Sequence, residues 1–194
     1  MTKLHAVALA GAALGLASTA GATLTPNTYE IRVSNVVSPS QPSTTVEVYA
    51  QWDADVYYAF AAAEWSLRGD ATGSFSNPAS AFTDPGQVDG TPIGGDVTGI
   101  ITGQLHFPPG SIFADTSDPI LIWTGTWSTS DFTARLVELT TETTRYSLYL
   151  DDTGLSSDVT TTVLEALGEI QVVPAPASLA LVGLGGLVAL RRRR

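Results

Sequence analysis

The stretch from Thr45 to Trp52, TVEVYAQW, alternates polar and apolar side chains with a period of two. Successive side chains of a β-strand point to opposite faces, so this spacing predicts a strand with one face in a core. Tyr29 to Ser34 repeats the pattern, with Tyr29, Ile31 and Val33 on the apolar face. Strand periodicity is therefore the main structural signal of the chain.

Apolar runs of strand length recur between turn signals such as Asp84-Pro85-Gly86. Further strands are predicted at Tyr57–Leu67, Val97–Phe107, Ile120–Ser128, Phe132–Leu139, Tyr146–Leu150 and Glu169–Val173. Val159–Leu167 fits either a strand or a short helix, and the Gly/Ser/Asp/Pro-rich region Asp70–Gly95 is predicted to hold a long surface loop. Strands without intervening helices predict an all-β fold, a single antiparallel β-sandwich of jelly-roll or immunoglobulin-like type over residues 23–172.

The N-terminal segment, residues 1–22, has the features of a cleaved secretory signal peptide. Lys3 provides the positive start, and Leu4 to Leu16 is rich in Ala, Leu, Val and Gly. Ala20 and Ala22 supply the small-x-small pattern that signal peptidase requires. The protein is therefore expected to be exported.

The C-terminal segment, residues 173–194, joins a proline-bearing hinge, an apolar run and a basic end. As a short hydrophobic helix, Leu179–Leu190 would reach roughly 18 Å, against a bilayer core of about 30 Å. Arginines are retained on the cytoplasmic side, so Arg191, Arg192, Arg193 and Arg194 would hold the C-terminus inside while the body is exported. This order predicts a transient inner-membrane contact followed by cleavage.

This tail resembles the PEP-CTERM sorting signal of bacterial proteins that are processed by exosortase, a membrane-embedded transpeptidase-like enzyme. The family pattern Val-Pro-Glu-Pro, then Ala/Thr-Ser-Leu-Ala-Leu and a basic end, matches Val173, Pro174, Pro176 and the segment 177–181. Ala175 stands where the family usually has Glu. The resemblance covers only the tail. It implies exosortase and signal peptidase as processing enzymes, delivery to the cell surface or outside, and an association with exopolysaccharide and biofilm.

The body between these two segments is strongly acidic. It keeps only Arg32, Arg68, Arg135 and Arg145 as basic residues beside all 19 Asp and Glu residues, a net charge of about −15. Such a surface repels nucleic acid and anionic lipid, so neither is an expected partner. The body contains no lysine, and the chain has no cysteine, which excludes disulfides and thiolate metal sites.

No arrangement in the body indicates catalysis. His106 is the single histidine of the body, no Gly-x-Ser-x-Gly motif exists, and a surface position opposite Leu105 and Phe107 is predicted for it. Carboxylates are plentiful, but nothing selects two of them as a glycosidase acid/base pair. A non-enzymatic protein is therefore favoured.

A protein without cofactors is expected, and a calcium site is a weak alternative. Asp84, Asp89 and Asp96 lie in one glycine-rich region, and calcium prefers such oxygen ligands. The spacing fits no EF-hand, and Asp and Gly are common turn residues, so turn formation is favoured.

Trp123 and Trp127 lie on one face of a predicted strand, spaced by Gly125. Exposed, they would form an aromatic surface for sugar rings; buried, they would contribute core area, which is favoured. The leading functional hypothesis is accordingly a non-enzymatic surface or matrix protein. A carbohydrate-binding module that uses surface tryptophans and a secreted glycan hydrolase are the alternatives.

Overall fold

The computed structural model describes residues 26–107 and 112–175. The signal peptide with Ala20 and Ala22, the apolar run with its predicted helix, Pro176, and Arg191 to Arg194 lie outside this part of the chain. Within the described residues, no helix has the length and apolar character needed to cross a membrane.

Residues 26–107 and 112–175 form ten strands and one short 3₁₀ turn, Thr160–Thr162. In chain order the strands are β1 (Thr28–Val33), β2 (Ser43–Gln51), β3 (Ala59–Arg68), β4 (Ser74–Ser80), β5 (Thr91–Ile93), β6 (Asp96–Gly103), β7 (Ile120–Ser128), β8 (Arg135–Tyr149), β9 (Ser156–Asp158) and β10 (Leu167–Val172). One sheet has the order β1-β2-β7-β4, and the other has the order β10-β8-β3-β6-β5 with β9 paired to the end of β8. All of these strand pairs are antiparallel, so the predicted β-sandwich is confirmed.

The core lies between the two sheets and follows the alternation of β2. Val46, Val48 and Ala50 are fully buried, and Trp52 is 1% exposed. The rings of Trp65 and Trp123 meet edge to face across the core, with their centroids 5.9 Å apart. Burial of large aromatic side chains is the main stabilising term in a fold without disulfides.

Two predictions of local structure need correction. The region Asp70–Gly95 does hold a long loop, residues 81–90, but it also contains the strands β4 and β5, which the sequence did not predict. β4 has the sequence SFSNPAS, in which only Phe75 is buried, so the apolar pattern of a strand is missing. Phe132–Leu139 and Tyr146–Leu150 are not separate strands either, since the polar residues between them continue β8.

The edge of β8 between β9 and β10 is covered by side chains. The backbone N–H of Thr143 donates to Glu165 Oε1 at 2.9 Å, and the hydroxyls of Thr141 and Thr143 donate to Glu165 Oε2. The N–H of Tyr146 donates to Thr160 Oγ1 at 2.8 Å. These side chains replace the hydrogen bonds that a neighbouring strand would make.

The sandwich has two ends of different character. The tail end consists of residues 34–42, 69–73 and 129–134, together with Val173, where the chain leaves β10. The open end consists of residues 52–58, 81–87, 104–107, 112–119 and 150–155.

Candidate functional site

Arg135 binds the loops of the tail end together. Its guanidinium donates to Thr72 Oγ1 at 2.8 Å and to the carbonyl oxygen of Asp131 at 2.8 Å. Asp70 and Asp131 are its ionic partners, each with an N–O distance of 3.5 Å. Both carboxylates of this end are thus paired with one arginine of the protein itself.

The proposed sorting residues begin at the tail end. Val172 pairs with Arg135 at the end of β10, and the N–H of Val173 donates to the carbonyl oxygen of Val37 at 2.9 Å. Pro174 and Ala175 follow and are exposed. Within the described residues, the final hydrogen bond of β10 to the body and the start of the proline motif are therefore adjacent in the chain.

The open end contains two cavities with both apolar walls and carboxylates. The first, the Asp84 cavity, has a volume of about 570 Å³. The residues that line it include Phe82, Asp84, Ile112, Phe113 and Asp115. The second, the Tyr58 groove, has a volume of about 370 Å³ and includes Asp55, Val56, Tyr57, Tyr58, Asp151 and Asp152. Both volumes fall within the range of small-molecule or side-chain sites.

His106 lies between the two cavities and is buried, so its predicted surface position is wrong. Its ring centroid is 5.1 Å from that of Tyr58 and 6.1 Å from that of Phe113. The strand β6 ends at Gly103, and the Gln104 side chain then bonds to the backbone of Asp115, which turns the chain inward.

The hydrogen bonds of His106 define its tautomer. Nδ1 accepts from the N–H of Ala114 at 3.1 Å, so the proton of the neutral ring is on Nε2. Nε2 is buried and has no partner among the described groups. A protonated Nε2 is a donor and does not coordinate a metal ion.

Seven carboxylates lie in the loops of the open end: Asp53, Asp55, Asp84, Asp115, Asp118, Asp151 and Asp152. These loops contain no arginine, and no ion pair within the described residues includes any of the seven. Hydrogen bonds from Ser117 and Thr153 lower the pKa values of Asp115 and Asp151. Desolvation raises the pKa of Asp118, and nearby Asp53 raises it further.

One feature of the sequence marks this acidic end. Between Arg68 and Arg135 there is no lysine or arginine at all. The loops near the two limits of this interval lie at the tail end and contain the acidic partners of Arg135. Among the described residues, the loops of the interval that lie at the open end contain no carboxylate paired with an arginine. Their convergence depends on strand pairing, which the spacing of charges does not reveal.

The calcium candidates Asp84, Asp89 and Asp96 make separate local contacts. Asp84 accepts from the N–H of Leu105, Asp89 from the N–H of Ser80, and Asp96 pairs with Arg68. Among residues 26–107 and 112–175, no three acidic or histidine side chains are grouped as a metal site would need. The structure therefore does not bring these three together.

Trp123 and Trp127 are both fully buried, which overturns the alternative of surface tryptophans that stack on sugars. The Trp123 indole N–H donates to the carbonyl oxygen of Asp89 at 2.9 Å. A Cβ on Gly73 would lie 2.1 Å from the Trp127 ring, so the loop backbone packs directly on that indole. Both rings act as core residues.

Comparisons with known proteins assign no family. No protein-family model matches the chain, and no curated protein matches it either. Among solved structures, a cohesin module from a Clostridium perfringens ATCC13124 family 33 glycoside hydrolase has a TM-score of 0.46 and 14% identity. The match covers 78% of this chain and 99% of that chain. A likeness at this level carries no functional argument, so function is argued from the residues themselves.

Proposed function

We propose that this β-sandwich is an exported, non-enzymatic protein of the cell surface or extracellular matrix. Signal peptidase removes residues 1–22, and an exosortase-type enzyme processes the tail from Val173 onward. The association of such tails with exopolysaccharide and biofilm supports such a setting for the mature protein.

The exit of the chain at the tail end is the observation that supports this proposal. Among the residues up to Ala175 that the structure describes, Val173 makes the last hydrogen bond to the body, and Pro174 and Ala175 are exposed. Proline disfavours both helix and sheet pairing, so the motif stays extended and accessible to an enzyme. The open end lies opposite, and it would face away from a membrane that holds the tail.

Intact mass spectrometry of the protein from its native host tests the processing route. Loss of residues 1–22 and of everything from about Pro174 onward is expected. An exported protein that retains Arg191 to Arg194 would contradict sorting by cleavage and would indicate a short membrane anchor instead.

Ala175→Glu sharpens the same test, because it restores the residue that the sorting family usually has. We expect a larger processed fraction than for the unaltered chain. Leu167→Glu is the matched control, since Leu167 is 75% exposed. This substitution adds the same charge outside the motif. Equal processing of both variants and the unaltered chain would mean that the motif is not read.

A further inference from the structure

We propose that the open end docks a polypeptide partner through lysine side chains, which enter the Asp84 cavity and the Tyr58 groove. The proposal does not depend on the sorting route, because it concerns the end of the sandwich opposite the tail. Its evidence is the charge, the wall chemistry and the free carboxylate oxygens of the two cavities.

The charge of the open end favours a cationic partner. Its seven carboxylates have no arginine among them, whereas Arg68 and Arg135 pair with acids elsewhere in the sandwich. Carboxylates grouped without cations repel one another and are stabilised by an opposite charge from outside. Charge complementarity thus selects a basic ligand.

The walls of both cavities suit an aliphatic stem that carries a cation. Ile112 and Phe113 line the Asp84 cavity, and they are 46% and 65% exposed. Val56 lines the Tyr58 groove and is 56% exposed. A lysine packs its methylene groups on apolar surface while its ammonium group contacts carboxylates or aromatic faces.

The carboxylate geometry of the Asp84 cavity favours lysine over arginine. Asp84 Oδ2 already accepts from the N–H of Leu105, and Asp115 Oδ1 accepts from both the N–H and the hydroxyl of Ser117. Each carboxylate therefore has one oxygen free of hydrogen bonds within the described chain. An arginine fork prefers both oxygens of one carboxylate, whereas an ammonium group needs only a single oxygen.

The partner is a different protein rather than a second copy of this body. The only lysine of the chain is Lys3, which lies in the predicted signal peptide. Aliphatic side chains at the open end, including Val56, Ile112 and Leu150, are typical of protein interfaces. All four tryptophans are buried, so the described surface has no tryptophan platform for a polysaccharide.

Calorimetric titration of the full chain with a synthetic peptide of alternating lysine and serine tests the proposal. We expect saturable binding that weakens by about tenfold between 50 and 500 mM salt, because surface charges are screened. The same peptide with every lysine acetylated keeps the stems but loses the charges, and it should not bind. The arginine counterpart should bind at least ~3-fold more weakly.

Paired substitutions locate the binding. Asp84→Asn with Asp115→Asn should lower the affinity by about tenfold, and Asp55→Asn with Asp152→Asn should lower it similarly. Glu138→Gln with Glu169→Gln is the matched control, because these two exposed residues face each other on β8 and β10, outside the cavities. The pair of substitutions removes the same amount of charge as each cavity pair.

Phe113→Ser provides a variant that removes no hydrogen bond of the fold, and it should also weaken binding. Equal affinity of the control pair and the two cavity pairs would overturn the proposal, as would equal binding of the acetylated peptide. Binding of glucosamine oligomers without binding of the lysine peptide would overturn it in favour of an amino-sugar polymer. None of these outcomes bears on the processing of the tail.

Discussion

The loops of the tail end and of the open end contain the same types of residue, but they differ in whether an arginine pairs with their aspartates. At the tail end, Asp70 and Asp131 share Arg135, and both loops are held by its guanidinium. At the open end, Asp115 and Asp151 form similar turns without any arginine. The difference teaches that aspartate serves turn formation throughout, while only the open end leaves its negative charge available to a partner.

Removal of a buried ring at the tail end should have the largest effect. Trp127→Ala is expected to lower the free energy of unfolding by about 3–5 kcal/mol, because it leaves a cavity beneath Gly73. Phe113→Ala at the open end is the control and should change it by less than about 0.5 kcal/mol, since that ring is 65% exposed. Urea unfolding measures both, and similar values would contradict the contrast between the ends.

Arg135→Ala should have the next largest effect. It leaves the hydroxyl, carbonyl and carboxylate groups of two loops without their donor, and we expect a loss of about 2–3 kcal/mol. Arg145→Ala removes an exposed arginine that forms no ion pair within the described residues, and it should cost less than about 0.5 kcal/mol. An equal cost in thermal unfolding would show that Arg135 does not hold the tail end.

Acid should weaken both ends. Hydrogen bonds from Thr72, Ser117, Thr133 and Thr153 lower the pKa values of the aspartates two residues before them. The folded state therefore binds fewer protons than the unfolded state near the unfolded pKa of about 4. The stability from these turns is complete above that pH and is lost as the pH falls below it.

Tm measured between pH 7 and pH 2 checks this dependence. Ser117→Ala with Thr153→Ala should reduce the acid sensitivity, because it removes hydrogen bonds that favour the ionised form. A Tm that is independent of pH below 4 would contradict the role of these turns.

Asp118 should show the smallest effect, and in the opposite direction. Desolvation raises its pKa, so ionisation at neutral pH disfavours the folded state. Asp118→Asn should leave Tm at pH 7 unchanged or slightly higher, whereas Asp115→Asn should lower it. A lower Tm for Asp118→Asn would indicate that its charge has a stabilising partner.

The sequence predicts those parts of the fold in which burial and periodicity agree. β2 and β7 alternate clearly, and both are strands of the sandwich. β4 was missed because it is an edge strand with Pro78 and one buried ring. The apolar run through Val97–Phe107 extended the predicted strand past Gly103, and this misplaced His106 on the surface.

The candidate site was less predictable, because its residues come from four loops. No local pattern connects Tyr58, His106 and Phe113, which meet only after strands β3, β6 and β8 have paired. The tryptophans illustrate the opposite case: period-two spacing is the same for an exposed and a buried face, and only the position of the second sheet decides between them.

Glu165 affects how copies of the protein would interact at high local concentration. The N–H of Thr143 and the hydroxyl groups beside it are occupied by a carboxylate that the chain itself provides. Copies of the protein packed side by side would find no free donor at this stretch of β8 and would meet a negative charge there instead. Crowding at this edge would therefore not lead to the stacked, intermolecular sheets of a fibril, and the molecules could accumulate without losing their individual folds.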